Sequence, residues 1–519
     1  MMKNRVLLLF LLAWVNLAAQ ERWSGKDVVK LEDADIYLEI TDYKSALDLY
    51  LPLYEKYGSS EEMDLKIGLC FFGLGQFEES KEYFSRAKEL GIPDAYYYLA
   101  RYHHGIEEFT VSVALLQAFK NLDGKKSIDM LEIDRLIQMS ERAENMMLNP
   151  VSATVYNVGK NINSTFDDYS PLITGDESIM VFTSRREGST GGKKDPYGEF
   201  LEDIYVSLKK EDQWQVASNI GEPLNSSTHD AAVGLSSDGN VILTYRTNKE
   251  LTAGDLYISR EQKDGWSEPE KLAEGINSEY QEASASITQD ERIIYFSSDR
   301  PGGEGGMDIY RIVRLGNNNW SLPMNLGPTI NSPFDEDAPF IHPNGKTLYF
   351  SSNGNKTMGG FDIFRSSLGD EYWTNPENLG YPVNTVGNDI FFVLASDGKR
   401  GYFSSKRDDG VGGQDIYAVS FENSLESLRI VKGNISSTDG SPLTAEISLL
   451  DEEGNTTGVY RSNQLTGNYI IILPPNINFE LDIRADGYEE VSDTLFYVGG
   501  TNVKEKSRDY VLNTQKEQP

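Results

Sequence analysis

The feature that most constrains the fold is a repeat of 52 to 54 residues, which runs from about Val151 to Ser420. Four residue positions recur in this repeat. Two are a Trp (Trp214, Trp266, Trp320, Trp373) and an Asn (Asn163, Asn225, Asn277, Asn331, Asn384). The other two are an acidic residue after the Asn (Asp168, Asp230, Glu282, Asp337, Asp389) and an Asp at the start of an aromatic strand (Asp203, Asp255, Asp308, Asp362, Asp415). Each unit has the pattern of four short strands separated by turn residues. Four-stranded units around an axis form a β-propeller, so the sequence predicts five blades.

The ends of this region predict how the ring closes. The last unit ends after Asp415–Tyr417 without a Trp-bearing fourth strand, whereas residues 155–163 precede the first full unit and carry Asn157. Asn219, Asn325 and Asn378 stand in the corresponding place, six residues before their own repeat asparagines. We therefore expect the N-terminal strand to complete the last blade.

A second repeat, with a period of about 34 residues, lies between Ala34 and Phe119. The first copy (Ala34, Tyr37, Tyr43, Ala46, Tyr50, Leu53) recurs as Gly68, Phe71, Phe77, Ser80, Phe84 and Ala87, and in part as Ala100, Phe109, Ser112, Leu116 and Phe119. Small residues recurring beside aromatic ones indicate paired helices that stack repeat on repeat. A further helix over 127–148, ended by Pro150, is expected to cap the array.

The C-terminal segment has the pattern of short strands with turns at Gly440–Pro442 and Gly487–Tyr488. The fold class predicted for the whole chain is multi-domain, α plus all-β. Its parts are a signal peptide at 1–19, helical repeats at 20–149, a β-propeller at 151–420 and a β-sandwich at 428–513.

Charge and cysteine content narrow the possible partners and compartments. The net charge of −33 would repel a phosphate backbone, so nucleic acid is not expected as a partner. Basic residues, a short apolar run and small residues before position 20 have the layout of a secretory signal peptide, and no later segment is long and apolar enough to span a membrane. The single cysteine, Cys70, lies on an apolar helical face and is expected to be a buried structural thiol.

The sequence offers little support for catalysis. Its four histidines lie in different repeats without metal-ligand spacing, and it has no nucleophile elbow, phosphate loop or dinucleotide fingerprint. We therefore predict neither an enzyme nor a cofactor. A catalytic site in a propeller would break the repeat symmetry with one irregular polar cluster, and the most irregular unit is the first, which has an insertion around Arg186–Leu201.

The five acids that follow the repeated Asn leave two interpretations open. Asp168, Asp230, Glu282, Asp337 and Asp389 could form a carboxylate ring at one mouth of the channel and hold a cation such as Ca²⁺. Alternatively, they accept backbone hydrogen bonds in turns, as acids at strand starts often do. Identical placement in every blade favours the structural alternative, so no metal site is predicted.

Several motifs resemble known families. The helical repeats resemble tetratricopeptide repeats, the Gly-Gly-x-Asp-Ile-Tyr/Phe bends resemble the PD40 (WD40-like) repeats of TolB, and the last segment resembles the transthyretin-like carboxypeptidase regulatory domain. Their order is similar to that of the Bacteroidota envelope family that includes PorE of type IX secretion. The peptidoglycan-gripping OmpA-like domain of that family would begin where the sequence ends, at Pro519.

That resemblance implies a non-enzymatic scaffold in the periplasm or at the outer membrane, within a secretion or gliding machine. Envelope proteins would bind the concave groove of the stacked helical repeats and one face of the propeller. Attachment to the cell wall would depend on these partner proteins. The alternative is a module that binds carbohydrate or peptidoglycan, because aromatic and acidic side chains can line sugar sites in propellers.

Overall fold

The computed structural model describes residues 23–195, 198–316, 319–354, 356–425, 429–473, 478–495 and 506–515. The predicted signal peptide, 1–19, lies outside these residues. The chain divides into two compact units, Met1–Asn145 and Met146–Pro519, whereas the finer domain boundaries stay predictions. No helix in the described ranges combines the length and apolarity that crossing a membrane requires.

The first unit is helical. Its helices are α1 (Gly25–Glu39), α2 (Tyr43–Tyr57), α3 (Glu61–Gly73), α4 (Phe77–Glu89), α5 (Asp94–Gly105), α6 (Phe109–Asn121) and α7 (Met130–Leu148). Ser24, Asp42 and Ser60 cap the first three through side-chain oxygens that accept backbone N–H groups. A Cβ on Gly68 would lie 2.6 Å from the ring of Phe84, so the helices cross where the repeat places its small residue. The tetratricopeptide assignment itself stays a prediction.

Cys70 belongs to the core of this unit. Its side chain is fully buried among Ala34, Tyr50 and Ile67, and burial raises the pKa of its thiol to about 12. A thiol that stays protonated is a poor nucleophile. The prediction of a buried structural cysteine is confirmed.

The second unit contains the predicted propeller. In its described residues, blade 1 contains β2 (Asp168–Ile173), β3 (Ile179–Ser184), β4 (Asp203–Lys210), β5 (Gln213–Trp214) and β6 (Ser218–Asn219), and blade 2 contains β7 (Asp230–Leu235), β8 (Val241–Thr247), β9 (Gly254–Gln262), β10 (Gly265–Trp266) and β11 (Glu270–Lys271). Blade 3 contains β12 (Ala285–Ile287), β13 (Ile293–Ser298), β14 (Asp308–Val313) and β15 (Met324–Asn325), and blade 4 contains β16 (Glu336–Ile341), β17 (Thr347–Ser352), β18 (Asp362–Ser367) and β19 (Glu377–Asn378). Blade 5 contains β20 (Asp389–Leu394), β21 (Arg400–Ser405), β22 (Asp415–Phe421) and the N-terminal strand β1 (Ala153–Asn157). β1 pairs antiparallel with β22, so the predicted closure of the last blade by the N-terminal strand is confirmed.

The repeated Asn joins neighbouring blades. The side chain of Asn225 accepts a hydrogen bond from the backbone N of Ile204 (2.8 Å) and donates one to the oxygen of the same residue (2.9 Å). Asn163 makes the same pair of bonds with Ile416 across the closure of the ring. Each repeat asparagine therefore satisfies the buried backbone of the preceding blade's third strand, which is a structural role.

The glycine-rich bends fit against the loop that enters the next blade. A Cβ added to Gly305, Gly359 or Gly412 would overlap backbone carbonyl oxygens of that loop, which belong to Phe334, Thr385 and Phe166 respectively. Glycine is required because only a residue without Cβ permits so close an approach. The bend that contains Gly302–Gly306 joins β13 directly to β14.

A β-sandwich follows the propeller in the same unit. One sheet contains β23 (Arg429–Ser437), β26 (Asn468–Leu473), β29 (Lys506–Ser507) and β30 (Tyr510–Leu512), and the other contains β24 (Glu446–Leu450), β25 (Thr456–Arg461), β27 (Phe479–Arg484) and β28 (Val491–Leu495). Ile447, Ile471 and Leu481 lie in the core between the two sheets. The transthyretin-like assignment stays a prediction.

Candidate functional site at the upper mouth of the propeller

The two faces of the propeller are formed by different loops. The upper face is formed by two sets of loops: those that join the second strand of a blade to its third, and those that join one blade to the next. The lower face is made by the turns that join first to second and third to fourth strands. Because these loops alternate along the chain, each repeat contributes to both faces.

The sandwich packs against the lower face at blades 1 to 3. Turns between the first and second strands of blades 1 to 3 meet it through polar contacts. These are Asn468 Nδ2 to Asp176 Oδ2 (3.0 Å), Asn463 Nδ2 to the oxygen of Asp238 (2.9 Å) and Arg461 to Glu291 (3.0 Å). A Cβ on Gly175 would lie 3.0 Å from Ile470 of the sandwich and overlap the hydroxyls of Ser237 and Ser396. A ligand therefore reaches the propeller from the upper face.

The structure places most of the predicted carboxylate ring inside the blades. Four of the five acids accept hydrogen bonds from the Ser or Thr four residues earlier. Each of them also forms an ion pair with an arginine, and the pairs are Asp168–Arg186, Asp230–Arg246, Glu282–Arg300 and Asp389–Arg407. These contacts correspond to the turn-forming alternative. Among the described residues there is no group of three His, Cys, Asp or Glu side chains arranged to hold a metal.

The predicted position of the fourth acid needs a correction of one residue. In blade 4 it is Glu336, not Asp337, that accepts from the backbone N of Ser332 (2.7 Å). The carboxylate of Asp337 instead accepts from the hydroxyls of Ser284 and Ser297 in blade 3. Successive residues of a strand point to opposite sides, so the shift directs the Asp337 side chain away from the turn at Ser332 and towards blade 3.

One polar cluster at the upper face has no counterpart in the other blades. Glu202, just before β4, accepts hydrogen bonds from the Tyr169 hydroxyl and from Arg185 Nη2 (2.9 Å). Nδ1 of His229, from the start of blade 2, lies 3.2 Å from Glu202 Oε2. Arg185 also pairs with Asp195 of the blade 1 insertion at 3.2 Å. The three side chains that contact Glu202 come from its own β3–β4 loop, from the loop that enters blade 2 and from the start of β2, at the same edge of the ring.

The electrostatics of this cluster keep Glu202 charged. Burial alone raises the pKa of a carboxyl group, but His229, Arg185 and Tyr169 outweigh it and lower the pKa of Glu202 to about 2. Burial and then the charge of Glu202 raise the pKa of Tyr169 well above its ordinary value. The site therefore presents an ionised carboxylate, a guanidinium and a protonated phenol in fixed positions, a combination that can bind hydroxyl groups from several directions.

The other blades show what is special about blade 1. In blades 2 to 5, the position of Tyr169 is occupied by Ala231, Ala283, Asp337 and Ile390. The position of Glu202 is occupied in the same blades by Gly254, Met307, Phe361 and Gln414. The sequence predicted that an irregular polar cluster would mark a functional site, and it identified the first unit as irregular. It missed the cluster because His229 comes from the second unit and Tyr169 lies outside the insertion.

The channel below this mouth is almost filled. Leu172, Phe340 and Phe391 line a cavity of about 20 Å³, which has room for about one water molecule. The rings of Phe391 and Tyr169 are 6.1 Å apart, and Ser284, which donates to Asp337, lines the same cavity. Tyr169 and Asp337 therefore both lie beside the channel, on blades 1 and 4.

One repeat position in the upper-face loops is aromatic in three of the five blades. The third residue after the repeat Asn is Phe166, Tyr280 or Phe334 in blades 1, 3 and 4, and Thr228 or Gly387 in blades 2 and 5. The side chain of Tyr280 is 40% exposed, and Phe166 packs edge-on against Phe200 of the blade 1 insertion. The upper face thus combines aromatic surface with the polar cluster around Glu202.

Comparison with known proteins gives a fold likeness alone. No family model matches the chain, and no curated protein matches it. Similar solved structures include an α-L-arabinofuranosidase from Lactobacillus brevis (13% identity, 49% of this chain, 90% of that chain, TM-score 0.32) and Penicillium chrysogenum α-L-arabinanase complexed with arabinobiose (12%, 53%, 100%, 0.31). A glycosyl hydrolase from Bacteroides ovatus is similar at 12% identity, over 50% of this chain and 85% of that chain, with a TM-score of 0.33.

These findings correct four of the predictions made from the sequence. Membership in the PorE-like tetratricopeptide and PD40 envelope family is contradicted, because no family model matches and the three solved structures named above are glycoside hydrolases. The scaffold role and the link to type IX secretion or the outer membrane were inferred from that resemblance, and the absence of enzymatic activity was inferred from missing catalytic motifs. The same findings contradict all three.

Proposed function

We propose that this protein binds carbohydrate at the upper mouth of its propeller. The observation that carries the proposal is the cluster of Tyr169, Arg185, Glu202 and His229, which breaks the repeat symmetry at the one face that the sandwich leaves open. Sugars offer closely spaced hydroxyl groups and apolar ring faces. An ionised carboxylate and a guanidinium bind hydroxyls strongly, and nearby aromatic rings can stack on sugar faces.

The proposal is tested with the full chain on immobilised neutral polysaccharides, acidic polysaccharides and peptidoglycan. We expect saturable binding to at least one of them. Tyr280→Ala should weaken that binding several-fold, whereas Tyr372→Ala, at a 79% exposed tyrosine on the lower face, should leave it unchanged. Absence of binding to every glycan, or equal losses in the two variants, would contradict the proposal.

A second candidate function is cleavage of the bound glycan. Two carboxylates, Glu202 and Asp337, belong to blades on different sides of one mouth, and glycoside hydrolysis commonly uses such a pair. A pKa of about 2 suits Glu202 to the role of base or nucleophile rather than acid. Release of reducing ends that Asp337→Asn abolishes, with binding retained, would support cleavage. Binding with no release from any polysaccharide would contradict it.

We also propose that the protein is exported. Export to the periplasm would depend on residues 1–19, and recovery of the mature protein from the periplasmic fraction would test it. The tetratricopeptide nature of the helices, the transthyretin-like nature of the sandwich and contact of envelope proteins with the helical groove are proposals of the same kind.

A further inference from the structure

We infer that the carbohydrate is a neutral polysaccharide, held across the upper face by internal stretches of its chain rather than by a chain end inserted into the channel. This inference rests on the proposed function and adds the class of ligand and the way in which it binds. Three features of the second unit carry it: the filled channel, the covered lower face and the distribution of aromatic side chains.

The channel excludes a chain end. Recognition of an end requires a closed pocket that holds a terminal sugar ring, which has on the order of ten non-hydrogen atoms. The cavity beneath the mouth measures about 20 Å³ and is lined by Leu172, Phe340 and Phe391, so it has no room for such a ring. The sandwich closes the opposite mouth through Asn463, Arg461 and Asn468, so a chain cannot thread through.

The aromatic residues extend the binding surface across the face. Phe166, Tyr280 and Phe334 belong to blades 1, 3 and 4, so no single sugar ring can contact all three. Stacking of separate sugar units on separate rings requires a chain that crosses the mouth. The polar cluster around Glu202 then contacts one interior unit, at blade 1.

Charge favours a neutral chain. The protein carries a net charge of −33, and the carboxylate of Glu202 stays ionised at the centre of the proposed site. An acidic polysaccharide would meet long-range repulsion from this net charge. A neutral chain avoids that cost and still offers hydroxyl groups to Arg185 and Glu202.

The experiment compares one neutral polysaccharide that binds with the same polymer after partial fragmentation, at equal mass concentration. Fragmentation multiplies chain ends while it keeps the number of sugar units constant. If internal stretches bind, apparent affinity should fall by about tenfold or more in fragments of two to four units. Affinity that rises in proportion to the number of ends would overturn the inference.

Variants and charged polymers complete the test. Phe334→Ala and Tyr280→Ala should each weaken binding of the intact polymer by about 2- to 10-fold, which corresponds to the ordinary contribution of one aromatic contact. Both should have less effect on a disaccharide. Preference for an acidic polysaccharide at low salt would overturn the neutral-chain assignment. Failure of all glycans to bind would instead reject the proposed function, so the two failures can be told apart.

Discussion

On the lower face of the propeller, loop residues hydrogen-bond to a second domain, whereas on the upper face those of blade 1 hydrogen-bond to one another. Asp238 and Asp176 accept from asparagines of the sandwich, and Asn240 Nδ2 donates to the oxygen of Ser462 (3.0 Å). Glu202 instead takes its partners from its own blade and the next. The difference teaches that one repeat can serve as a docking surface at one end and leave an unrepeated polar site open at the other.

The largest expected effect comes from breaking the upper cluster. Glu202→Ala leaves Arg185 half-buried beside Asp195 without its main partner, and loss of one member of a buried ion pair costs about 3–5 kcal/mol. We expect a fall of this order in the free energy of unfolding, measured with denaturant. Glu199→Ala, at an exposed residue of the same insertion, should change it by less than about 0.5 kcal/mol.

The glycine contacts on the two faces should respond differently to an added methyl group. Gly305→Ala drives a Cβ into the backbone oxygen of Phe334, which cannot move alone, and should cost about 1–3 kcal/mol. Gly175→Ala meets side chains of Ser237, Ser396 and Ile470, and should cost less while loosening the sandwich. Thermal unfolding measures the first effect and limited proteolysis the second; an equal loss of stability in both variants would contradict the comparison.

The docking of the sandwich should depend on Asn463. The Asn463 amide donates a hydrogen bond to the oxygen of Asp238, and its Oδ1 accepts hydrogen bonds from the backbone N of Leu465 and Thr466. Asn463→Ala leaves these groups without their partner, which should lower the free energy of unfolding by about 1–3 kcal/mol. We expect faster hydrogen exchange in the turns of the lower face and none of this change at Glu202. Asn455→Ala, in an exposed turn of the sandwich, serves as the control.

The smallest expected effect is a pH dependence at the lower face. Burial, and then the charge of Asp238, raise the pKa of Glu261 from 4.5 to about 7. The folded state thus holds this proton more tightly than the unfolded state, and stability falls as the pH rises from about 4.5 to 7. Glu261→Gln should flatten that slope by roughly 1 kcal/mol, which is less than the full pKa shift would give because the side chain is partly exposed to solvent. The measurement is the unfolding free energy at pH 5 and pH 8. An unchanged slope would exclude Glu261 as its source.

Much of the scaffold could be predicted because it repeats. The asparagines that join blades, the glycines in the bends and the acids that receive turn hydrogen bonds serve the same local geometry five times, so each copy supports the identification of the others. Position 337 shows the limit of this reasoning. Asp337 stands next to Glu336, and only the register of β16 against β17 separates the turn acid from the residue beside the channel.

The candidate site could not be predicted in the same way. Its residues are Tyr169, Arg185, Glu202 and His229, which are separated along the chain by insertions and strands and have no copies elsewhere. The sequence marked the first unit as irregular, but it gave no reason to associate that unit with a histidine of the second. A family resemblance inferred from motif order led instead to the scaffold assignment that the comparisons contradict.

The sequence by itself determined the repeat number, the closing strand, the helical array and the buried thiol, because periodic small, aromatic and turn residues reflect local geometry that recurs. Only the tertiary structure decided which acids are structural, which mouth is covered and where an unrepeated cluster forms. The physical reason is that ring closure and docking of the sandwich bring together residues such as Asn468 and Asp176, far apart in sequence. Their contacts leave no periodic signal along the chain.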